Sequence, residues 1–196
     1  MFGRQKTLEE ARMGEGGAAG RPDCVVVMGP SGVGKTTVAQ ALAERLGWAF
    51  AEADEFHPPA NIAKMSAGVP LDDDDRAPWL VLIRDWIGQR AGEGASTVVT
   101  CSALKRRYRD VLRGAPARVR FLELAGAPAL VEDRMAHRAG HYMPASLLAS
   151  QFAALEPLGA DEDGARVDVA ASPDEIVERA LAALVLTPAA SAPALR

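Results

Sequence analysis

Residues 24–37 read Cys24-Val-Val-Val-Met28-Gly29-Pro30-Ser31-Gly32-Val33-Gly34-Lys35-Thr36-Thr37. The first five are apolar and rich in β-branched side chains, bounded by Pro22 and Gly29, which predicts a short strand buried on both faces. Gly29 to Thr36 satisfies G-x-x-x-x-G-K-[ST]. From Thr36 to Leu46 the apolar Val38, Ala41, Leu42 and Leu46 recur at helical spacing until Gly47 stops the run. The glycine spacing has a mechanism in this strand-to-helix context. Glycines let the backbone turn its N–H groups inward around phosphate oxygens, and the N-terminus of the following helix adds a favourable dipole. The pattern therefore assigns Gly29, Pro30, Ser31, Gly32, Val33, Gly34, Lys35, Thr36 and Thr37 to a nucleoside triphosphate such as ATP. Lys35 is the catalytic cation that reaches the β- and γ-phosphates, and the Thr36 hydroxyl is a ligand for Mg²⁺.

On the C-terminal side, the apolar stretch Trp48 to Ala53 predicts a second strand ending at Asp54. Further strands are predicted at 97–101, 119–124 and 166–169, with helices at 77–89, 104–112, 128–137, 144–155 and 173–184. Strands alternating with helices predict one α/β domain: a three-layer phosphate-loop fold, a five-stranded parallel sheet with helices on both faces. It is expected over residues 22–186. Residues 1–21, which end in Met13-Gly-Glu-Gly-Gly-Ala-Ala-Gly20, and the Pro- and Ala-rich residues 187–196 are expected to be flexible extensions.

Composition narrows the function. The 196 residues are 48% hydrophobic and 24% charged, close to the globular average, which excludes a disordered, collagen-like or disulfide-scaffold chain. A net charge of −4 without clustered Lys and Arg argues against a nucleic-acid partner. The two cysteines, Cys24 and Cys101, each adjoin a β-branched run and read as buried thiols in a reducing compartment. No secretory h-region and no bilayer-length apolar stretch occurs, so the expected location is the cytoplasm, with no membrane partner. A switch GTPase needs N-K-x-D, which is absent, and Asp161-Glu-Asp-Gly164 matches D-x-x-G only within an acidic loop before the last strand. A chain this short has no room for motor or transporter modules, which leaves a small-molecule kinase as the leading class.

The second strand runs into Glu52-Ala-Asp54-Glu-Phe-His57-Pro-Pro-Ala-Asn61-Ile-Ala-Lys64-Met65. Gly68-Val-Pro-Leu-Asp-Asp-Asp-Asp-Arg76-Ala-Pro-Trp-Leu80 follows, then Cys101-Ser-Ala-Leu-Lys-Arg-Arg-Tyr-Arg-Asp110, Arg134-Met-Ala-His-Arg-Ala-Gly-His141, Gln151-Phe152 and Leu155-Glu156. In this order the blocks resemble the phosphate-loop gluconokinase family, whose signature is similar to D-x-D-x-x-H-P-x-x-N-I-x-K-M. The resemblance covers most of residues 24–160. It implies a fold shared with shikimate and adenylate kinases, nucleoside-monophosphate-kinase-like with a closing lid. It further implies a homodimer and ATP-dependent phosphorylation of D-gluconate at its 6-hydroxyl.

The residues alone support an anionic or polyol acceptor, because Asp54, His57, Arg76, Lys105 and Arg109 offer a base and several cations. Asp54 either orients the attacking hydroxyl as a catalytic carboxylate or caps the next helix. Glu52 stands where the family usually has Asp, and it is either a ligand to Mg²⁺-bound water or a surface carboxylate. His57, held extended by Pro58, either contacts substrate or fixes the loop. Asn61 joins the substrate set by resemblance. Arg76 occupies the position that grips an acceptor carboxylate in related kinases, the alternative being an ion pair with the neighbouring aspartates. Asp72 and Asp73 read as solvated, and Asp74 or Asp75 as the cap of a helix starting near Ala77 with Pro78 in its first turn. Lys105 and Arg109 lie at i and i+4 on one predicted helix face, so both are expected near the acceptor.

Arg134 and Arg138 likewise share a face, and Ala139-Gly-His-Tyr142 reads as the break a lid needs. By resemblance Arg134 lies against adenine and Arg138 folds onto the phosphates as a catalytic cation; the alternative is two arginines lying along a surface helix. Two rivals stand beside the kinase reading implied by the resemblance. A shikimate-type kinase would carry a glycine triplet and paired arginines that are missing here, and a regulatory nucleotide binder would bind ATP without transferring phosphate.

Overall fold

The computed structural model of this chain describes residues 20–137 and 145–189. Five strands, β1 (Asp23–Met28), β2 (Ala49–Glu52), β3 (Thr97–Thr100), β4 (Arg118–Ala125) and β5 (Gly164–Asp168), pair in the order β2-β3-β1-β4-β5. Every pairing is parallel, with Val26 of β1 opposite Val99 of β3 and Phe121 of β4. The helices among the described residues are α1 (Lys35–Leu46), α2 (Pro59–Ser66), α3 (Asp73–Gly92), α4 (Arg106–Arg113), α5 (Pro128–Ala136) and α6 (Ala145–Ala154), which lie between strands, and α7 (Pro173–Ala183), which follows β5. A 3₁₀ turn, Ala53–Phe56, continues β2. The five-stranded parallel sheet predicted from the alternation is the one observed.

Alternation along β1 divides the core into its two layers. Val25 and Val27 face Val38, Leu42 and Leu46 of α1 and Ile176, Val177 and Leu181 of α7. Cys24, Val26 and Met28 face Trp79, Leu80, Ile83 and Ile87 of α3 and Tyr108 and Leu112 of α4. Because Cys24 to Met28 of β1 are fully buried on both sides, that run is continuously apolar. Cys24 and Cys101 are unpaired and buried, and burial pushes both thiols up to about 12, so neither is a nucleophile at neutral pH. No helix among the described residues is long and apolar enough to cross a membrane.

The element ends correct two expectations. Helix α2 lies outside the helices predicted from periodicity. Helix α3 starts at Asp73, a turn before Ala77, because Asp72 is its cap: the Asp75 amide donates to the Asp72 carboxylate at 2.8 Å, and the Asp72 amide donates back to the Asp75 carboxylate at 3.1 Å. That reciprocal pair satisfies two amides that the helix start leaves open. Pro78 consequently sits inside the helix, beyond its first turn.

After β1 the chain builds one sheet edge with β2 and β3, then crosses to the other with β4 and β5. The crevice at the carboxyl end of β1 is where such a reversal places a ligand site.

Candidate active site

A cleft of about 780 Å³ opens at that end of the sheet, lined by the glycine loop, the turn after β2, the start of α3 and residues of α5 and α6. Ser31, Gly32, Gly34, Lys35, Thr36 and Thr37 form its floor. The loop is shaped by backbone that side chains resist: Gly32 and Gly34 have φ of 83° and 96°. A β-carbon on Gly32 would also lie 2.5 Å from Met135 Cγ, so the glycine permits α5 to close against the loop. Gly34 precedes the first residue of α1, and the open amides of that helix start face the cleft. The Lys35 ammonium folds over the loop and donates to the Pro30 carbonyl at 2.9 Å. Val33 points the other way, buried in the core.

Across the cleft stand Glu52, Asp54, His57 and Arg76. Asp54 caps no helix, since Pro58 precedes α2 and Glu52 precedes the 3₁₀ turn. Its side chain is 89% exposed, with Oδ1 3.8 Å from His57 Nε2. His57 stacks on Trp79, ring centroids 4.3 Å apart and 13° from parallel. The Trp79 indole N–H donates to the Ala53 carbonyl at 2.7 Å and thereby fastens α3 to the turn carrying Asp54. Arg76 makes no ion pair with the aspartates among the described residues; its Nε donates to the Leu71 carbonyl at 3.3 Å. Its guanidinium stands 5.9 Å from the centre of the Tyr108 ring, on the cleft wall.

Glu52 bears on the metal. Its Oε2 accepts from the Thr100 hydroxyl, while Oε1 is buried without a hydrogen-bond partner. A buried carboxylate oxygen so placed calls for a donor. With Thr36 lining the same cleft, the hydroxyl and carboxylate make a donor set of the kind that suits Mg²⁺.

Three predicted substrate residues are not on the cleft wall, and each has a physical reason. Asn61 is buried, its carboxamide nitrogen donating to the Asp75 carbonyl at 2.8 Å and lying 3.5 Å from His57 Nδ1. Lys105 is the N-cap of α4, with extended backbone rather than a helical residue, so its side chain does not share a helix face with that of Arg109 although the Arg109 amide donates to its carbonyl at 3.3 Å. Its ammonium is 3.0 Å from Asp73. Arg109 is 1% exposed and bound bidentately by Glu162, with Nε and Nη2 each 2.7 Å from a carboxylate oxygen. Its remaining N–H groups donate to the carbonyls of Ala103, Glu156 and Pro157, so all five donors are used structurally.

The acidic run is also more than solvated charge. Asp73 accepts from the Tyr108 hydroxyl, Lys105 and Arg107, joining α3 to α4, and Lys64 pairs with Asp75 at 2.6 Å. The Tyr108 hydrogen bond, followed by that of Lys105, pulls the Asp73 carboxyl down to about 2 from its ordinary 3.8. A depressed carboxylate pKa contributes stability that is complete above the unfolded value and lost as pH falls through the folded one. Asp73→Asn is accordingly expected to melt below the wild type at pH 7, with the gap in Tm closing between about pH 4 and pH 2. A gap that is constant over that range would show that the Asp73 charge contributes nothing.

On the nucleotide side, Arg134 lines the cleft and donates to the Val169 carbonyl at 2.8 Å, reaching the segment after β5. Arg138 and His141 lie outside the described residues. Gln151, quoted in the sequence only as part of a motif, has a definite place: its carboxamide oxygen accepts from the Ser31 amide at 2.8 Å. Five residues on, the Glu156 carboxylate accepts the Arg106 amide at 2.6 Å. The segment 151–156 thus spans from the phosphate loop to the start of α4. Neither contact was legible beforehand, because each joins residues at least 50 positions apart.

Comparison with known proteins bears on the same residues. The family of AAA ATPase domains matches residues 1–194. The gluconokinase of Gluconobacter oxydans is 52% identical over 158 residues, spanning 81% of this chain and 89% of the relative. The chain belongs to the gluconokinase family. Among solved structures, a gluconokinase from Sinorhizobium meliloti is 49% identical with a TM-score of 0.75, covering 84% of this chain and 93% of its own. A sugar kinase from a Janibacter species is 53% identical with a TM-score of 0.80, covering 84% and 95%. For a gluconokinase-family chain, the cleft that joins the phosphate loop to Asp54 and Arg76 is the place to seek phosphoryl transfer.

Proposed function

We propose that the chain catalyses transfer of the γ-phosphoryl group of ATP to the 6-hydroxyl of D-gluconate, giving 6-phospho-D-gluconate and ADP. The observation that carries this reading is the presence, in one cleft, of a phosphate loop, an exposed carboxylate and a guanidinium with no carboxylate partner among the described residues. The loop amides and Lys35 hold the triphosphate, and Arg134 lies on its nucleoside side. Asp54 orients the 6-hydroxyl and accepts its proton as the new O–P bond forms and the bond from the γ-phosphorus to the bridging oxygen breaks. Arg76 grips the carboxylate at the other end of the acceptor, a planar anion suited to a bidentate guanidinium. His57 lies beside Asp54 on the acceptor wall. Arg138, four residues after Arg134 in the sequence, supplies a further cation to the transferring group in this reading. Thr36 and Glu52 would hold Mg²⁺, which when bound neutralises phosphate charge. Two buried thiols and the absence of a basic composition support a cytoplasmic enzyme without a nucleic-acid partner, and we extend the family resemblance to a homodimer.

Acceptor-dependent ADP release with Mg-ATP tests the reading, using gluconate, shikimate, glycerate, AMP and no acceptor in parallel. Stimulation by gluconate alone is expected. ATP binding without stimulation by any acceptor would favour a regulatory nucleotide binder instead. Two substitutions separate the acceptor roles. Asp54→Asn is expected to lower kcat on the order of 10²-fold with little change in the KM for ATP. Arg76→Ala is expected to raise the KM for gluconate on the order of 10-fold or more, leaving that for ATP unchanged. Near-normal turnover of the first, or an unchanged gluconate KM of the second, would remove the corresponding role.

A further inference from the structure

His57 and Asn61, packed beneath Asp54, have a hydrogen-bond pattern that selects one form of the imidazole. The Asn61 side chain faces two acceptors: the Asp75 carbonyl at 2.8 Å and His57 Nδ1 at 3.5 Å. A carbonyl oxygen only accepts, so the nitrogen end of the carboxamide must face it, and the second N–H of that same group is the one turned toward His57. The amide nitrogen offers no lone pair, so Nδ1 accepts and a neutral ring carries its proton on Nε2. Burial lowers the His57 pKa; Asp54 opposes this and Arg76 reinforces it. The stack on Trp79 fixes the plane of the ring, and a half-turn within that plane would set a carbon against the Asn61 amide where Nδ1 now stands. Nε2 then faces Asp54 Oδ1 at 3.8 Å.

We infer that Asn61 is a positioning residue that holds His57 as the neutral Nε2–H tautomer, and that His57 steadies the Asp54 carboxylate through that single N–H. The inference rests on the reading of Asp54 as the acceptor-side carboxylate. An aspartate side chain 89% exposed has no packing to choose its rotamer. At 3.8 Å the N–H attracts the carboxylate without bonding it, and closing that gap when substrate binds would engage one oxygen and leave the other for the acceptor hydroxyl. Asn61 therefore acts through His57 and Asp54 without touching substrate, which accounts for a buried carboxamide at this point of α2.

The test is the ¹⁵N spectrum of the histidine rings in the full-length protein at pH 7, with the His57 signals assigned by their loss in His57→Gln. An unprotonated Nδ1 and a protonated Nε2 are expected. In Asn61→Asp the new carboxylate demands a proton on Nδ1, so the signals should change to the other tautomer or to the imidazolium. In the same variant kcat with gluconate should fall about 10- to 100-fold while the KM for ATP is unchanged. Glutamine places its N–H₂ near the Nε2 position and asparagine does not, so His57→Gln should retain several-fold more kcat than His57→Asn. A wild-type His57 that is protonated on Nδ1, an Asn61→Asp variant with altered signals and unaltered kcat, or a reversed order of the two His57 variants would each overturn the inference. If Asn61→Asp does not fold, the wild-type spectrum and the two His57 variants decide. Failure of the underlying reading looks different: Asp54→Asn would turn over normally while the His57 signals still showed the Nε2–H form.

Discussion

Lys35→Ala is expected to lower kcat for acceptor-dependent ADP release on the order of 10³-fold or more, with the melting temperature close to that of the wild type. Lys35 is the first residue of α1 and belongs to neither layer of the core, and its ammonium donates within its own loop, to the Pro30 carbonyl. That contact keeps the ammonium over the floor of the cleft, beside the open amides at the start of α1. Charge shifts toward the leaving phosphate as the γ-phosphoryl group departs, and a cation preplaced in a partly desolvated cleft stabilises it without reorganising at that moment. Alanine removes the charge and leaves the glycine geometry intact. A variant retaining a tenth of wild-type kcat would mean that the loop amides carry the phosphates and that Lys35 is not the catalytic cation. Calorimetric titration with ADP separates lost binding from lost transfer.

Arg109→Leu is expected to act in the opposite way, lowering stability by roughly 3–5 kcal/mol in urea unfolding and sparing the KM for gluconate. The substitution leaves Glu162, whose side chain has no exposure, as a buried carboxylate with the Gly159 amide at 3.0 Å and Arg113 at 3.6 Å as its remaining partners. It also leaves three carbonyls without their guanidinium donor, which loosens segment 156–162 from α4. Pairing it with Glu162→Leu should recover part of the loss, because two apolar groups are less costly there than one uncompensated charge. A large rise in gluconate KM with unchanged stability would restore Arg109 to the substrate site.

Much of the fold was legible because its signals are local. The β-branched run before Gly29, the glycine spacing and the 3.6-residue period of α1 are properties of neighbouring residues, and strands alternating with helices permit few arrangements besides a covered parallel sheet. The start of α3 was misread because four successive aspartates offer equivalent caps. The choice of Asp72 depends on Asp75 reaching back to its amide and on Lys64 arriving from α2.

The site divides along the same line. Sequence by itself determined the phosphate loop and the family signature, because each is written in contiguous residues with backbone consequences; Asp54, expected at the end of the second strand, stands two residues beyond it in the 3₁₀ turn. Which cations belong to the cleft was decided only by tertiary structure. Arg76 and Arg109 look alike as charges beside polar neighbours, yet the loop 156–162 brings Glu162 and two carbonyls around one and leaves the other on the cleft wall. A buried guanidinium must have its five donors satisfied, and all but one of the acceptors that satisfy them come from a segment about 50 residues away that no local pattern reveals. Asn61 was matched by motif but given its part by the fold, which set a carbonyl and an imidazole on the two N–H bonds of one amide.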